Sequence, residues 1–246
     1  MLIRKILKII ILLLGVAYVF FQSFALEIEG DGVGTLAFIL LTYLYLGWTE
    51  HRSILFSWFL IVFTSAQIVS FIVWFTPKIT LEQTDYLYYI ANMLCIVSYV
   101  LLIVKMFIHF NIKAVFSQLA VPTMILVVLD IFCVTLISNT TENVFSYYEY
   151  ILEFFYNAVI MLLLSIALIN YMYRNNNKSM LFLIGAIFMV FSEVIQLAYF
   201  YILDINILGF VYSTFLVVAF SFFYIQSQYP VTDPVTEYSD DNLDVL

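Results

Sequence analysis

The feature that most constrains this chain is a series of long apolar segments, each separated from the next by only a few polar residues. A helix needs about 20 predominantly apolar residues to cross a hydrocarbon core of roughly 30 Å. Eight segments approach or exceed that length: Ile6–Ala25, Val33–Trp48, Ser53–Phe75, Tyr86–Ile108, Ala114–Ile137, Tyr150–Tyr173, Met180–Ile202 and Ile205–Gln226. The sequence therefore predicts an all-α bundle of eight transmembrane helices.

Composition agrees with a membrane protein. Hydrophobic residues make up 65% of the 246 residues and charged residues only 11%, whereas a soluble domain carries about 25% charged residues. The connections are too short for a separate soluble domain, so we expect residues 1–226 to form a single transmembrane domain. Residues 227–246 are polar and acidic and predict a disordered cytoplasmic tail.

The distribution of charge predicts the orientation. Lys78 is the one basic residue on the side opposite the N-terminus, whose loops are otherwise acidic. Because cytoplasmic loops carry an excess of Lys and Arg, both termini should be cytoplasmic, in what we expect to be a bacterial inner (plasma) membrane. The basic residues on the N-terminal side are Arg4, Lys5, Lys8, Arg52, Lys105, Lys113, Arg174 and Lys178.

The first apolar segment has an alternative interpretation. Arg4, Lys5 and Lys8, followed by an apolar run and Ser23-Phe24-Ala25, are also typical of a signal peptide with its cleavage site. The run is longer than a typical signal core, so we expect a retained helix. Cleavage would leave seven helices and an external N-terminus.

Acidic side chains inside the spans are the strongest functional signal. Asp130 lies in the fifth predicted helix, Glu193 near the middle of the seventh and Glu153 about a turn into the sixth. Carboxyl groups are costly in lipid and usually mark a pathway or a site. No basic residue lies at the depth of Asp130 or Glu193, so we expect at least one neutral carboxyl.

Polar residues recur at helical spacing on several spans. Glu149, Glu153 and Asn157 share one face of the sixth helix, and Glu193 shares a face with Gln196. A further stripe lies on the fourth helix, at Asp85, Tyr88, Asn92, Cys95 and Tyr99. Such stripes should face one another and line a polar cavity. For Asn92 and for Gln67 of the third helix, hydrogen bonding between helices is the simpler interpretation.

Several classes of function are excluded or disfavoured. The chain has no glycine-rich nucleotide motif, and its acidic net charge of −8 argues against general nucleic-acid binding. His51 and His109 are far apart, and Cys95 and Cys133 lie in apolar runs, so we expect neither a metal nor a cofactor. Lys105 lies at the end of its span, unlike a lysine that holds retinal.

The sixth and seventh predicted helices resemble a known family. The segment Tyr156–Asn170, followed by a short basic loop and the segment Gly185–Glu193, is similar to the YhhN/lysoplasmalogenase family of eight-helix membrane proteins. The chain length and the segment Asn92–Tyr99 agree. The late Ser-Asp pair of the family becomes Ser192-Glu193 in this chain, and the earlier Gly-Asp pair falls on Ser65-Ala66-Gln67, which has no acid.

The resemblance implies a reaction and a site. Family members cleave the vinyl ether of lysoplasmalogens, which requires a carboxylic acid that protonates the double bond and, ideally, a second carboxylate. Glu193 is the expected acid, with Asp130 or Glu153 as its partner. The expected substrate-binding residues are Gln67, Asn92, Glu153, Asn157, Ser192 and Gln196.

Three hypotheses follow. The first is a lysoplasmalogenase-like hydrolase with a lipid-sized cavity and Glu193 as its acid. The second is a non-catalytic protein that binds a lipid or another apolar ligand in the same cavity. The third is a small proton-coupled carrier with Asp130 and Glu193 as its titrating groups. Spans broken by Pro or Gly would favour a carrier, and here Pro122 alone is expected to break a span.

Overall fold

The computed structural model describes residues 2–49, 52–77, 85–108, 110, 112–142, 144–203 and 205–229. Eight of the helices in this part of the chain are long and apolar enough to cross a membrane, which confirms the predicted polytopic membrane protein. The ninth, α5, has only 7 residues. The helices are α1 (Leu2–Ser23), α2 (Glu27–Trp48), α3 (Ile54–Val73), α4 (Tyr86–Phe107), α5 (Ile112–Gln118), α6 (Ala120–Thr141), α7 (Tyr147–Arg174), α8 (Asn177–Tyr201) and α9 (Asn206–Ser227).

Seven of the spans form a closed ring. Its order is α1, α2, α3, α4, α7, α8 and α9, and α9 packs against α1 to complete it. The eighth span, α6, packs on the outside of the ring against α7. The buried side chains of α6 are confined to the last third of the helix, at Val134, Ser138 and Thr141. The ring therefore encloses the core, and α6 is an outer helix.

Short connections make successive spans antiparallel, so the bundle has two chemically different ends. At one end Arg4 Nη2 donates to Gln228 Oε1 at 3.1 Å, which joins the first span to the last. At the other end Tyr199 Oη donates to Glu27 Oε1 at 3.0 Å. We call these the basic end and the acidic end. The basic end carries Arg4, Lys5, Lys8, Arg52, Lys105, Lys113, Arg174 and Lys178.

Caps at the acidic end fix where two spans begin. Asp85 accepts hydrogen bonds from the backbone N–H groups of Leu87 and Tyr88, both at 3.0 Å, at the start of α4. Ser146 and Glu149 form a capping box at the start of α7. Such caps satisfy donors that the first turn of a helix leaves unpaired. They set the register of the polar residues that follow on α4 and α7.

The second span begins earlier than predicted. The segment Glu27–Gly32, expected to be the connection between the first two apolar segments, forms the first turns of α2. Glu27 and Glu29 lie at the positive end of the helix dipole, where carboxylates stabilise a helix. The correction brings Asp31 inside a span.

Pro122 does not break a span. The expected break lies instead at Leu119, between α5 and α6, so Pro122 falls in the first turn of α6. A proline in the first turn removes an N–H that has no helical partner, and its fixed φ suits the helix. The break at Pro122 that would have favoured the carrier hypothesis is therefore absent from α6.

Aromatic rings fill the core of the basic half of the ring. Phe59 and Phe220 stack with centroids 5.8 Å apart, and Phe63 contacts Phe220 at 4.7 Å. Phe38 of α2 and Phe223 of α9 extend the cluster at 4.6 Å and 6.0 Å from Phe220. Since aromatic pairs contribute beyond their buried area, this cluster holds α2, α3 and α9 together.

The close approach of α1 and α9 depends on Gly209. A Cβ at this position would lie 2.5 Å from the backbone oxygen of Gln22, so α1 and α9 approach each other only because residue 209 has no side chain. We expect Gly209→Ala to lower the free energy of unfolding by about 1–3 kcal/mol, the usual cost of overpacking. Unfolding in mixed micelles with increasing SDS would measure it. Gly47→Ala is the control, since a Cβ there meets nothing within 4 Å; equal effects of the two substitutions would contradict the prediction.

Some sequence predictions fall outside the described residues. They are the two histidines, His51 and His109, the residue Lys78, and residues 230–246 of the predicted acidic tail. The described chain ends at Tyr229, two residues after the end of α9.

Candidate functional site: an acidic pocket inside the helix ring

A pocket of about 400 Å³ lies inside the ring, in its acidic half. Every helix of the ring contributes to its lining, from Tyr18 of α1 to Leu216 of α9. Binding sites for small molecules typically have volumes of about 300–1,000 Å³. We call it the central pocket. Its polar lining comprises Tyr18, Asp31, Gln67, Ser70, Trp74, Asp85, Tyr88, Asn92, Cys95, Glu153, Tyr156, Asn157, Glu193, Gln196 and Tyr201.

Glu193 lies at the deep end of the central pocket. It precedes Tyr201, the last residue of α8, by eight positions, which corresponds to about 12 Å along the helix. Its Oε1 accepts a hydrogen bond from the Tyr99 hydroxyl, and its Oε2 accepts one from the Tyr156 hydroxyl at 2.7 Å. Tyr99 is fully buried. Two tyrosines from α4 and α7 thus fix the orientation of the carboxyl group.

A second carboxyl group lines the pocket from α7. Glu153 is buried, and its Oε1 accepts a hydrogen bond from Asn157 Nδ2 at 3.3 Å. Because residues four apart share a helix face, Glu153 and Asn157 both point into the ring. Tyr156 lies on the same part of α7, so one helix supplies both a pocket carboxyl and a partner of Glu193.

Asp31 is a pocket carboxyl that the sequence analysis did not select. Its Oδ1 accepts from Gln22 Nε2 at 3.0 Å, and its Oδ2 accepts from Trp74 Nε1 at 2.7 Å. These bonds connect α1, α2 and the end of α3. Gly30 makes room for the Gln22 side chain, since a Cβ at Gly30 would lie 2.7 Å from Gln22 Nε2. The pair of glycines around Asp31 was the available signal, because it indicates close packing as well as a loop.

The charge of the pocket is one-sided. Asp31, Asp85, Glu153 and Glu193 line it, and no Lys, Arg or His is among its described lining residues. Within the part of the chain that the structure describes, no group of three His, Cys, Asp or Glu side chains is placed to hold a metal ion. The arrangement suits acid–base chemistry by carboxyl groups, or a ligand that carries a positive charge.

Most of the residues expected at the site do lie together. Beside Glu193, the central pocket is lined by Gln67, Asn92, Glu153, Asn157 and Gln196. The polar stripe on α4 also faces the pocket, through Asp85, Tyr88, Asn92 and Cys95.

Asp130 and Ser192 lie elsewhere. Asp130 is on the outer helix α6, where its Oδ1 accepts from Ser165 Oγ of α7 at 2.8 Å, so α7 separates it from the ring interior. Ser192 is fully buried and donates to the Tyr212 carbonyl at 2.8 Å. Both side chains attach one helix to its neighbour, and neither is part of the pocket lining.

Comparison with known proteins adds no relative. The chain matches no family model, no curated protein and no solved structure. The resemblance to the YhhN/lysoplasmalogenase family therefore depends on the residues of α4, α7 and α8 described above.

Proposed function

We propose that this integral membrane protein binds a lysolipid in the central pocket and hydrolyses its vinyl ether bond, in the manner of a lysoplasmalogenase. The observation that carries the proposal is the pair of carboxyl groups, Glu193 and Glu153, on the wall of one pocket. Gln67, from the segment of α3 where the resemblance places the family's earlier acid, lines the same pocket.

Glu193 has the environment that the first step needs. In its protonated form it transfers a proton to the outer carbon of the vinyl ether, and the adjacent carbon becomes an oxocarbenium ion. The hydroxyls of Tyr99 and Tyr156 then stabilise the carboxylate that remains, because each already donates to one of its oxygens.

Glu153 is the proposed second carboxyl. As a carboxylate it stabilises the oxocarbenium ion and accepts the proton that water loses when it adds to the cation. The resulting hemiacetal transfers its hydroxyl proton to the ether oxygen and separates into a fatty aldehyde and the glycerol hydroxyl of the head group. A proton passing from Glu153 to Glu193 restores the starting state. Asp130, on the outer helix, takes no part.

The proposed orientation places the basic end in the cytoplasm, so that the central pocket lies toward the outside. Thiol labelling tests this orientation. Glu142→Cys, at the acidic end, should react with a membrane-impermeant maleimide added to intact cells, and Lys113→Cys, at the basic end, should react only after lysis. The reverse pattern would contradict the orientation.

Aldehyde release tests the proposed reaction. Purified protein in nanodiscs should release a fatty aldehyde from an alkenyl lysolipid and should leave the matched alkyl ether, which lacks the double bond, intact. A coupled aldehyde dehydrogenase assay follows the product. If folded protein binds the alkenyl lysolipid and releases no aldehyde, the hydrolase proposal fails.

A second candidate function is non-catalytic binding. It is favoured by the charged residues of the pocket lining, which are all acidic among the described residues. Asp31, Asp85, Glu153 and Glu193 surround a pocket that also presents the rings of Trp74 and Tyr88. Carboxylates and aromatic faces together attract organic cations. A protein of this kind would bind an amine-bearing amphiphile and a matched neutral amphiphile with different affinities, and would cleave neither.

A further inference from the structure

A second cavity lies in the basic half of the molecule, between α1, α2 and α9. It has a volume of about 340 Å³, and most of its lining is apolar. Gly15, Ala37, Leu41 and Val217 are among its walls, and Lys8 and Tyr224 lie at its basic end. We call it the lateral groove. Gly15 lies against Val217 across the groove, since a Cβ at Gly15 would be 3.2 Å from Val217 Cγ1.

Tyr18 lies between the lateral groove and the central pocket. Its side chain is buried and belongs to the lining of both cavities. The ring lies against Gly34, where a Cβ would be only 3.0 Å from Tyr18 Cδ2. The two cavities therefore meet at Tyr18, polar on one side and apolar on the other.

The length of the lateral groove matches one hydrocarbon chain. Lys8 and Tyr18 both line it and lie ten positions apart on α1, which corresponds to about 15 Å along the helix. The hydrocarbon core of a bilayer is roughly 30 Å thick and consists of two layers of chains, so one chain spans about half of it.

The polarity of the groove argues for a chain rather than a head group. Its lining is hydrophobic except at Lys8, Tyr18, Ser221 and Tyr224. Lys8 Nζ lies 5.2 Å from the centre of the Tyr224 ring, so its charge already has an aromatic partner at the far end of the groove.

We propose that the lateral groove holds the hydrocarbon chain of the same lysolipid whose polar part occupies the central pocket. This inference rests on the proposed function for the identity of the ligand. Tyr18 then lies where the chain leaves the pocket, and the vinyl ether, at the junction of chain and head group, comes to the depth of Glu193. The ligand is a single-chain amphiphile, because the groove has the length of one chain and is adjacent to the polar lining at Tyr18.

Photolabelling locates the chain without requiring catalysis. The probe is an alkyl ether lysolipid with a diazirine at the end of its chain, bound to the full-length protein in nanodiscs. After irradiation, peptide mass spectrometry should find adducts at the basic end of the groove, on Ile11, Leu44 or Tyr224. An excess of unlabelled alkyl ether lysolipid should prevent the labelling.

Two substitutions on α2 provide a matched pair. Ala37→Trp fills the groove and should reduce the labelling by about tenfold or more, the effect of overpacking by about 1.4 kcal/mol. Ile39→Trp is the control, because Ile39 is 40% exposed and lies outside the groove lining. Ser221→Phe narrows the groove from α9 and serves if Ala37→Trp does not fold.

Equal labelling in the Ala37→Trp and Ile39→Trp proteins would overturn the inference, as would adducts confined to lipid-facing side chains. Labelling of the groove by a diacyl phospholipid probe that the lysolipid does not displace would assign the groove to bulk lipid and also overturn it. The aldehyde assay is read separately. Labelling of the groove without release of aldehyde supports the chain site and rejects the hydrolase. Release of aldehyde without labelling of the groove supports the hydrolase and rejects the chain site.

Discussion

Replacing Glu193 by Gln is expected to lower vinyl ether hydrolysis by about 10²–10⁴-fold, the usual contribution of a general acid. The substitution keeps the shape of the side chain and removes the proton that the reaction needs. Tyr99 and Tyr156 retain a hydrogen-bonding partner, because an amide accepts through its oxygen and donates through its nitrogen, and a tyrosine hydroxyl can do either. The fold should therefore survive.

The measurement is the rate of aldehyde release at saturating alkenyl lysolipid, with binding of the alkyl ether analogue followed in parallel. Asp130→Asn is the control, since it makes the same kind of change on the outer helix α6 and should leave the rate within about twofold. A Glu193→Gln protein that keeps the wild-type rate would show that Glu193 is not the acid. Loss of binding together with rate would instead assign it to ligand recognition.

The spans could be predicted because a membrane helix is specified by local composition. The composition of each apolar segment is enough to predict its span, and all eight segments appear as helices close to the expected positions. The start of α2 could not be predicted in this way. Its acids and glycines are typical of a loop, and tertiary contacts such as Gln22 Nε2 with Asp31 Oδ1 add to the favourable position of Glu27 and Glu29 in the first turn of the helix.

The site was predictable to the extent that it depends on helix periodicity. The stripes on α4 and α7 were expected to face a cavity, and Asn92, Glu153 and Asn157 line the central pocket. Whether the other expected residues line the pocket depends on the arrangement of the helices. Asp130 is a carboxyl within a span, as Glu193 is, but α6 lies outside the ring. The spacing of residues along one helix cannot show where that helix lies in the bundle.

The hydrogen-bond donors to Glu193 could not be predicted from the sequence either. The chain has 19 tyrosines, most of them interpretable as core or interface residues. Tyr99 and Tyr156 belong to α4 and α7, and nothing in either segment identifies them as donors to a carboxyl group on α8. The packing of α7 against both α4 and α8 creates this arrangement.

Replacing Glu153 by Gln tests whether α7 supplies the second carboxyl of the proposed reaction. We expect kcat to fall by about 10²-fold with little change in KM, because the proposed carboxylate acts on the cation and on the attacking water, both of which arise after substrate binding. Asn157 donates to Glu153 Oε1 at 3.3 Å and can donate equally to the amide oxygen of Gln, so the pocket wall should keep its geometry.

Glu149→Gln is the matched control for Glu153→Gln. Glu149 lies one turn earlier on α7, outside the pocket lining, and its Oε2 accepts from the Ser146 backbone N–H at 2.9 Å as part of the helix cap. Glu149→Gln should lower the free energy of unfolding by about 0.5–2 kcal/mol and leave kcat unchanged. If Glu153→Gln also leaves kcat unchanged, Glu153 is not the second carboxyl, and Asp31, held by Gln22 and Trp74 on the opposite wall, becomes the residue to replace. If Asp31→Asn and Asp85→Asn are then equally active, a single pocket carboxyl, Glu193, is enough for the reaction.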